Sequence, residues 1–591
     1  MQDTSRSPRR FTKERVIDLV AIPAYLAPLA LLTWFVLRFG VNVPVMDQWV
    51  LPVFFQKIKS GQVRFHDFFA QHAEHRIVFP KMIWAGLAFA TNWNIKYELC
   101  VIVIFALTVF WAILKIAVNQ RENDGVVLYH SSIFLTSLIV FSLIQFDNWL
   151  SGFQIPFMMT QTCLALAVLS ATTPSMPAVR RFTLAAILCL VNTFTCAQGL
   201  FSWIALIPCI AIIFETWRGS LKAVAIWILL FVLSGAIYFI GLDATLRAGP
   251  NDRFYAFTHP IDGITYCLAI LGAPYSRGFP IQPIKLAPPI GLIMVLAFLF
   301  FTCYAIWTRR IKIYAPWLAI GLSALLFSVI LAVGRVAVAG VSNAVYVSRY
   351  TTAAIFLLIG LIQMARLFCR NHRLARPIYY LAACGLVGAV SIGSISAIIE
   401  ARTQYSQREQ GRLLIEILPF IDERTDASVD SCLRFVFPQV YFPDEGLTGP
   451  PRKQVEILEQ LGFRHILREV PFIETPPQEF GSLTQLTTSS GAPVVSRSGY
   501  VRVFGGVAPQ DTESTPKLVL ISYGDQKTFI AAGLPMLSSN NSLSRSWDVQ
   551  FPAEFLPDGE SVIKAWAYDS NGKRFAKLAD FAGEQRIRVQ N

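Results

Sequence analysis

Three of the seven histidines fall in one short stretch of the chain, together with three carboxylates and two arginines. Asp47-Gln48-Trp49 is followed by His66-Asp67 and then by Gln71-His72-Ala73-Glu74-His75-Arg76. Carboxylates, imidazoles and a guanidinium at this density can move protons, hold a divalent cation or bind an anion. They follow the first hydrophobic segment, where titratable groups are costly unless they are paired or used. Residues 47–76 therefore read as an active-site loop. His-Ala-Glu-His is one residue short of the His-x-x-Glu-His metalloprotease pattern and does not place two histidines one helical turn apart, so the spacing speaks against a protease. A metal site built with Asp47 or Asp67 stays open, as does a role for His72, Glu74, His75 and Arg76 in orienting Asp47 and an acceptor, with Glu74 pairing Arg76 or a histidine.

Two further arginines stand where chemistry could use them. Arg335 follows Gly334, and Arg349 lies in Ser348-Arg349-Tyr350, both in a polar break between two apolar runs. A guanidinium fork matches phosphate oxygens in geometry and charge; snorkelling to lipid headgroups is the alternative. Asp147 and Trp149 belong to an Asp-Asn-Trp turn that could supply an accessory acid or merely an interfacial turn. Gln154 and Gln198 sit at helix ends, where they could line a sugar site or satisfy neighbouring helices.

The elements that must position these residues are membrane helices. The chain is 54% hydrophobic and 15% charged, with a mean hydropathy of +0.49, outside the range of soluble domains. Eleven apolar runs are near the length needed to cross a bilayer, at about 16–39, 98–117, 130–146, 154–170, 182–197, 199–215, 222–242, 286–307, 313–333, 351–368 and 377–399. With the N-terminus inside, every inner segment is basic, from Arg6/Arg9/Arg10 to Arg366/Arg370/Arg373/Arg376, as the positive-inside rule requires. The loop 40–97 and the long loop 243–285 then lie outside. This alternation holds if 77–92 is a helix in the outer interface, a place that suits Pro80, Lys81, Trp84 and Trp93. The net charge of +13 is explained by those inner loops, and no nucleic-acid motif accompanies it. Ten cysteines show no disulfide framework or metal spacing; Cys432 is alone in the hydrophilic tail.

Past residue 400 the composition changes. Residues 400–475 read as an α/β connector, with amphipathic stretches at 407–421 and 454–461. After a loop at 475–491 come short alternating segments at 494–504, 517–523, 546–551, 561–568 and 586–589, separated by turns at Pro557-Asp558-Gly559 and Asp569-Ser570-Asn571-Gly572. That pattern predicts a β-sandwich over 490–591. Its Trp547, Trp566 and Tyr568 could stack on sugars or fill the core. An odd number of spans puts this domain outside with the loop 40–97.

A short basic tail, one helix and a long outer loop opening on an acid resemble the GT-C superfamily of polytopic glycosyltransferases, in particular its bacterial, largely uncharacterised branch. The strings that carry the resemblance are Asp47-Gln48-Trp49, His72-Ala73-Glu74-His75-Arg76, Asp147-Asn148-Trp149-Leu150-Ser151-Gly152-Phe153-Gln154, Gly334-Arg335 and Ser348-Arg349-Tyr350, within roughly 15–400. The resemblance implies a polytopic α-helical fold of about eleven transmembrane helices (residues 1–399) in a bacterial inner membrane, and a polyprenyl-phosphate-linked sugar as donor. The acceptor would be a hydroxyl on an envelope lipid or glycan at the periplasmic face. It places the general base at Asp47, with Glu74 and His75 beside it; Asp47 could equally cap a helix starting at Gln48. Arg335, Arg349 and Tyr350 would hold the donor phosphate, and Trp49, His72, Arg76, Asp147, Trp149 and Gln154 would contact substrate. Some family members have a second acid where Gln48 stands here, so the need for a divalent metal stays open. A polymerase or ligase of lipid-linked glycans would share the spans and arginines without needing a base behind the first helix. A non-catalytic transport or assembly protein would not need the ordered motifs.

Overall fold

The structure is a computed structural model that describes residues 13–121, 124–243, 254–425, 451–476, 479–489, 491, 493–507, 518–533, 535–537, 543–580 and 583–590. Arg6, Arg9, Arg10, Cys432 and the 426–450 part of the connector lie outside the described residues. The chain forms two compact units. The first comprises Met1–Gly40, Phe65–Trp84 and Tyr97–Ile398, the second Val41–Arg64, Ala85–Lys96 and Ile399–Asn591.

The first unit is helical. Among the described residues of the whole chain, nine helices are long and apolar enough to cross a membrane: Ala21–Phe39, Ile95–Asn119, Val126–Leu150, Gly152–Thr172, Trp217–Phe239, Pro283–Trp307, Ile311–Ala339, Ser348–Asn371 and Arg373–Glu416. Helices of this length close all their backbone hydrogen bonds internally, which a chain in hydrocarbon requires. This is the build of a multi-pass membrane protein. Two of the eleven expected spans take another form. The run 182–197 is a 16-residue helix, Ala178–Thr193. The run 199–215 is broken into Ala197–Phe201, Ser202–Ala205 and Ile207–Ile210, where Pro208 cannot donate to a continuing helix. The apolar stretch 77–92 forms the helix Val78–Thr91.

The expected loop 243–285 contains a helix, Pro260–Gly272, that packs against Pro283–Trp307 and Ile311–Ala339. Its start, Pro260-Ile261-Asp262-Gly263, carries turn residues, which hid it from a reading by composition. Two glycines bring it into backbone contact with Pro283–Trp307. A Cβ on Gly272 would lie 2.0 Å from the Ala287 carbonyl oxygen, and one on Gly291 2.0 Å from the Leu268 oxygen. Small residues at such crossings let helices approach closely. The helix Thr351–Asn371 packs on Ile311–Ala339 and is pinned near its C-terminal end, where fully buried Arg366 meets the buried Asp124 carboxylate at 3.0 Å.

The second unit holds the turn Met46–Val50 and the helix Leu51–Lys59, which packs against Pro451–Leu461. Lys59 Nζ donates to the carbonyls of Gln460 and Leu461, each at 3.1 Å, and Phe55, Phe89, Trp93 and Phe463 pack edge to face beside them. The remainder is β-rich. One sheet runs Ala579–Asp580, Gly481–Thr488, Tyr500–Val507, Leu543–Pro552, Pro535–Leu537 in space; the other is built around Gly559–Asp569, which pairs with Arg574–Lys577, Gln585–Gln590 and Val519–Tyr523. Inward residues of both, including Leu483, Val503, Phe551, Ile521, Ile563 and Ile587, share one apolar core. Gly481–Thr488 lies in the stretch expected to be loop; its Ser, Thr and Gln residues mask a strand that pairs with Tyr500–Val507. Trp547, Trp566 and Tyr568 are buried, and the two indoles donate to Gly506 O and Ser522 Oγ. They fill the core, the second of the two roles that the sequence left open for them.

The glycine contact gives a controlled prediction. Gly291→Ala should lower the thermal midpoint of the detergent-purified protein, at a cost of about 1–3 kcal/mol for forcing backbones apart. Gly388→Ala, where a Cβ meets nothing within 4 Å, should not lower it. Equal midpoints for Gly291→Ala and wild type would contradict the crossing.

Candidate functional site

Residues 71–76 form a small antiparallel hairpin in the first unit, Gln71 opposite Arg76 and His72 opposite His75. Its two-residue turn is Ala73-Glu74, with Ala73 at φ 47°. Two-residue hairpins need a left-handed residue, ordinarily Gly or Asn, so the alanine is held there by its surroundings. Those surroundings are hydrogen bonds. The Tyr238 hydroxyl donates to Glu74 O at 2.8 Å and accepts from Arg76 N–H at 3.3 Å. The Gln71 side chain donates to Ala73 O and Asp243 O and accepts from Asp243 N–H. Arg76 donates from Nε to Tyr238 O at 2.7 Å, from Nη1 to Phe69 O at 2.5 Å and from Nη2 to Ile240 O, with its guanidinium 4.3 Å from the Phe69 ring. Burial draws the Arg76 pKa below its usual value. Lys81 Nζ donates to Asp67 O and Ala70 O, both at 3.0 Å.

This anchoring presents Glu74 and His75. Glu74 Oε1 accepts from Arg335 Nη2 in an ion pair between the hairpin and the helix Ile311–Ala339. Both side chains are about a quarter exposed, and no further hydrogen bond from the Arg335 guanidinium to a described residue accompanies that one. His75 Nε2 lies 3.9 Å from the same Glu74 oxygen. Its Nδ1 accepts from Ala197 N–H at 3.4 Å and faces Cys196 Sγ at 3.8 Å. A neutral imidazole that accepts at Nδ1 carries its proton on Nε2, toward Glu74. Burial pushes the Cys196 thiol up to about 12, so it is a protonated neighbour rather than a nucleophile.

The strings 147–154 and 348–350, two hundred residues apart in sequence, pack together. Asn148 Nδ2 donates to Arg349 O at 3.0 Å and to Thr352 Oγ1, which in turn donates to Gln145 Oε1 at 2.7 Å. Ser348 Oγ donates to Ile144 O at 3.0 Å and accepts from Asp147 N–H at 3.5 Å. Arg349 is exposed, its guanidinium 5.6 Å from the Tyr350 ring. Tyr350 is buried with its ring against Phe327. Tyr266, fully buried in the same cluster, feels the charges of both Arg335 and Arg349, and its hydroxyl has no partner.

Several expected site residues serve the scaffold instead. Trp149 is fully buried and donates its indole N–H to Ser142 O at 2.9 Å, so it offers no face to a substrate. Trp49, fully buried in the second unit, donates to Pro44 O at 3.1 Å and is corrected in the same way. Arg76 is spent on three carbonyls and does not pair Glu74, whose arginine partner is Arg335. His72 is buried with its ring edge on Phe153, 5.1 Å between centroids. Gln154 keeps a buried Oε1 without a partner. Asp47, in the second unit, is half-buried inside the turn Met46–Val50 and does not cap it. Val45 precedes the turn and its N–H donates to Gln48 Oε1 at 3.0 Å, while Met46 enters at φ 52°. Among the described residues, no three His, Cys, Asp or Glu side chains converge as metal ligands would. Tyr238 and Tyr266 were not picked out from sequence. Each sits in an apolar helix as one polar atom among many carbons, a pattern that only the partner's position can distinguish from core packing.

The hairpin bonds predict an asymmetry in stability. Arg76→Met removes three carbonyl bonds and leaves the buried Tyr238 carbonyl without its Arg76 donor, at a cost of about 1–3 kcal/mol, and should lower the thermal midpoint. Ala73→Gly removes a left-handed alanine, worth roughly 1 kcal/mol, and should hold or raise it. Wild-type stability in Arg76→Met, measured by thermal unfolding in detergent, would contradict the anchoring role.

A comparison with models of protein families finds no match for this chain, and a comparison with curated proteins finds none either.

Proposed function

We propose that this chain is a GT-C-type glycosyltransferase that moves a sugar from a polyprenyl-phosphate-linked donor to a hydroxyl on an envelope lipid or glycan. The observation that carries the reading is Arg335: a partly buried guanidinium, oriented by one carboxylate, with N–H groups left over for an anion. A guanidinium oriented by a carboxylate is the arrangement that receives a phosphate bidentately and stabilises it as it leaves.

In the proposed reaction the acceptor oxygen bonds to the anomeric carbon as the bond from that carbon to the phosphate oxygen breaks. The electron pair of the broken bond leaves with the polyprenyl phosphate, where Arg335, and Arg349 with Tyr350 beside it, meet the charge. The acceptor proton goes to Asp47, the base that the resemblance assigns. Glu74 then acts by holding Arg335, and His75 by holding Glu74. No part of this scheme needs a nucleic acid, and a divalent metal is not required by it.

The reading places the reaction at the periplasmic face of a bacterial inner membrane. Basic inner segments such as Arg309/Arg310/Lys312 support that orientation. Counting nine spans instead of eleven preserves it, because Ala178–Thr193 and the broken segment after it form a pair whose two ends return to one side. The first loop and the β-rich domain then face outward.

Transfer from labelled polyprenyl-phosphate sugars, assayed with purified protein in nanodiscs, tests the proposal. Asp47→Asn keeps size and removes basicity, so transfer should fall by on the order of 10²-fold or more. Arg335→Lys keeps charge but loses the fork and should be markedly impaired. Full activity in Arg335→Lys would remove the phosphate role; near-wild-type transfer by Asp47→Asn would move the base elsewhere.

A further inference from the structure

The residue after Ala197, whose amide holds His75, is Gln198, and its side chain lines a small cavity in the first unit. Thr160, Asn192, Ser323, Phe201 and Phe327 share that lining. Thr160 and Asn192 are more than nine-tenths buried. Thr160 Oγ1, Asn192 Oδ1 and both amide atoms of Gln198 are buried without any hydrogen-bond partner. A buried polar atom left unpaired costs about 1–3 kcal/mol. Four of them around one space in an apolar helical bundle mark a place where a ligand restores the missing bonds.

The lining defines the ligand. No Asp, Glu, Lys, Arg or His contributes to it, so an ion entering would be unpaired and its burial prohibitive. An amide, a carbonyl and a hydroxyl together offer donors and acceptors, which is what a hydroxyl group, itself both donor and acceptor, requires. The two phenylalanines supply apolar surface for C–H groups. The cavity gives about 20 Å³ to the centres of water-sized groups, within about 280 Å³ of unfilled space that includes its mouth. One or two water-sized groups fill the inner part, so an edge of a ligand enters there while its body stays at the mouth. Phe327 lies on the same helix as Arg335, eight residues away, or about 12 Å at the helical rise.

We propose that this cavity receives a hydroxyl or hydroxymethyl edge of an uncharged sugar. The identification of that sugar with the one carried by the donor phosphate rests on the glycosyltransferase reading; the cavity's own chemistry asks only for a neutral polyhydroxyl ligand. An acidic sugar such as a uronic acid is excluded by the uncharged lining.

The test is a titration of the full chain in nanodiscs with methyl glucoside, methyl galactoside, methyl mannoside and glucuronate, read by saturation-transfer NMR and by the thermal midpoint. At least one neutral glycoside should bind wild type, and glucuronate should not. Thr160→Val and Gln198→Leu should each weaken that binding by about ten-fold or more, the equivalent of one lost hydrogen bond to a desolvated partner. Without ligand, both variants should be at least as stable as wild type, because each removes an unpaired polar atom. Absence of binding by every neutral glycoside, equal binding in both variants, or glucuronate binding as well as its neutral counterparts would overturn the proposal. So would a fall in ligand-free stability in both variants, which would make the polar atoms structural. Binding of polyprenyl phosphate itself, measured in parallel, separates the two claims. A glycoside site with no transferase activity would leave the cavity standing and the enzyme reading fallen; transfer without any glycoside site would do the reverse.

Discussion

A non-helical piece of chain packed against a helical bundle must find partners for its backbone, and that requirement governs the hairpin of the first unit. The hairpin 71–76 cannot close its hydrogen bonds within a helix, and a buried carbonyl or N–H without a partner is costly. Arg76, Lys81, Gln71 and the Tyr238 hydroxyl supply what it lacks. Two of the most conspicuous charges in the region are therefore main-chain ligands. Only after the backbone is satisfied are Glu74 and His75 left to face other elements, and the left-handed Ala73 that turns Glu74 outward is tolerated because its neighbours are fixed.

The Glu74–Arg335 pair depends on that anchoring and also on the helices behind it. Arg335 rides on a helix that packs against Thr351–Asn371, whose far end is locked by the buried Arg366–Asp124 pair. Pro260–Gly272 packs against the same helix and brings Tyr266 toward both arginines, while its crossing with Pro283–Trp307 is close enough to require glycine on each side. A rigid donor set of this kind has little reorganisation left to do when an anion binds, which is where preorganised charges gain their effect. The polar cavity around Gln198 joins the same framework through Ala197 and His75.

Much of this architecture was legible in the sequence, for reasons that also explain what was not. Long apolar runs can satisfy their backbone only as helices, so the nine span-length helices correspond to runs read from hydropathy. The two runs that differ contain Pro208 and a short 16-residue segment, where length and composition no longer decide. Pro260–Gly272 was hidden by turn residues at its start, and Gly481–Thr488 by its polar side chains. For the candidate site, residue type singled out the stretch that folds as the hairpin but could not assign roles. An arginine paired with a carboxylate and one bonded to carbonyls look alike in sequence. Arg335 and Arg76 differ only in their partners, a carboxylate in one case and three carbonyls in the other. The same holds for Trp149, whose family-like string turned out to carry packing, and for Tyr266, which no string announced.

The measurement that bears most directly on this account is a cryo-EM map of the protein in nanodiscs with a non-hydrolysable polyprenyl phosphonate bound. The account predicts density for the phosphonate with its oxygens within about 3 Å of the Arg335 guanidinium, the distance of a charge-assisted hydrogen bond, and with the Glu74–Arg335 pair retained. Phosphonate density elsewhere, with Arg335 bonded to Glu74 alone, would contradict it.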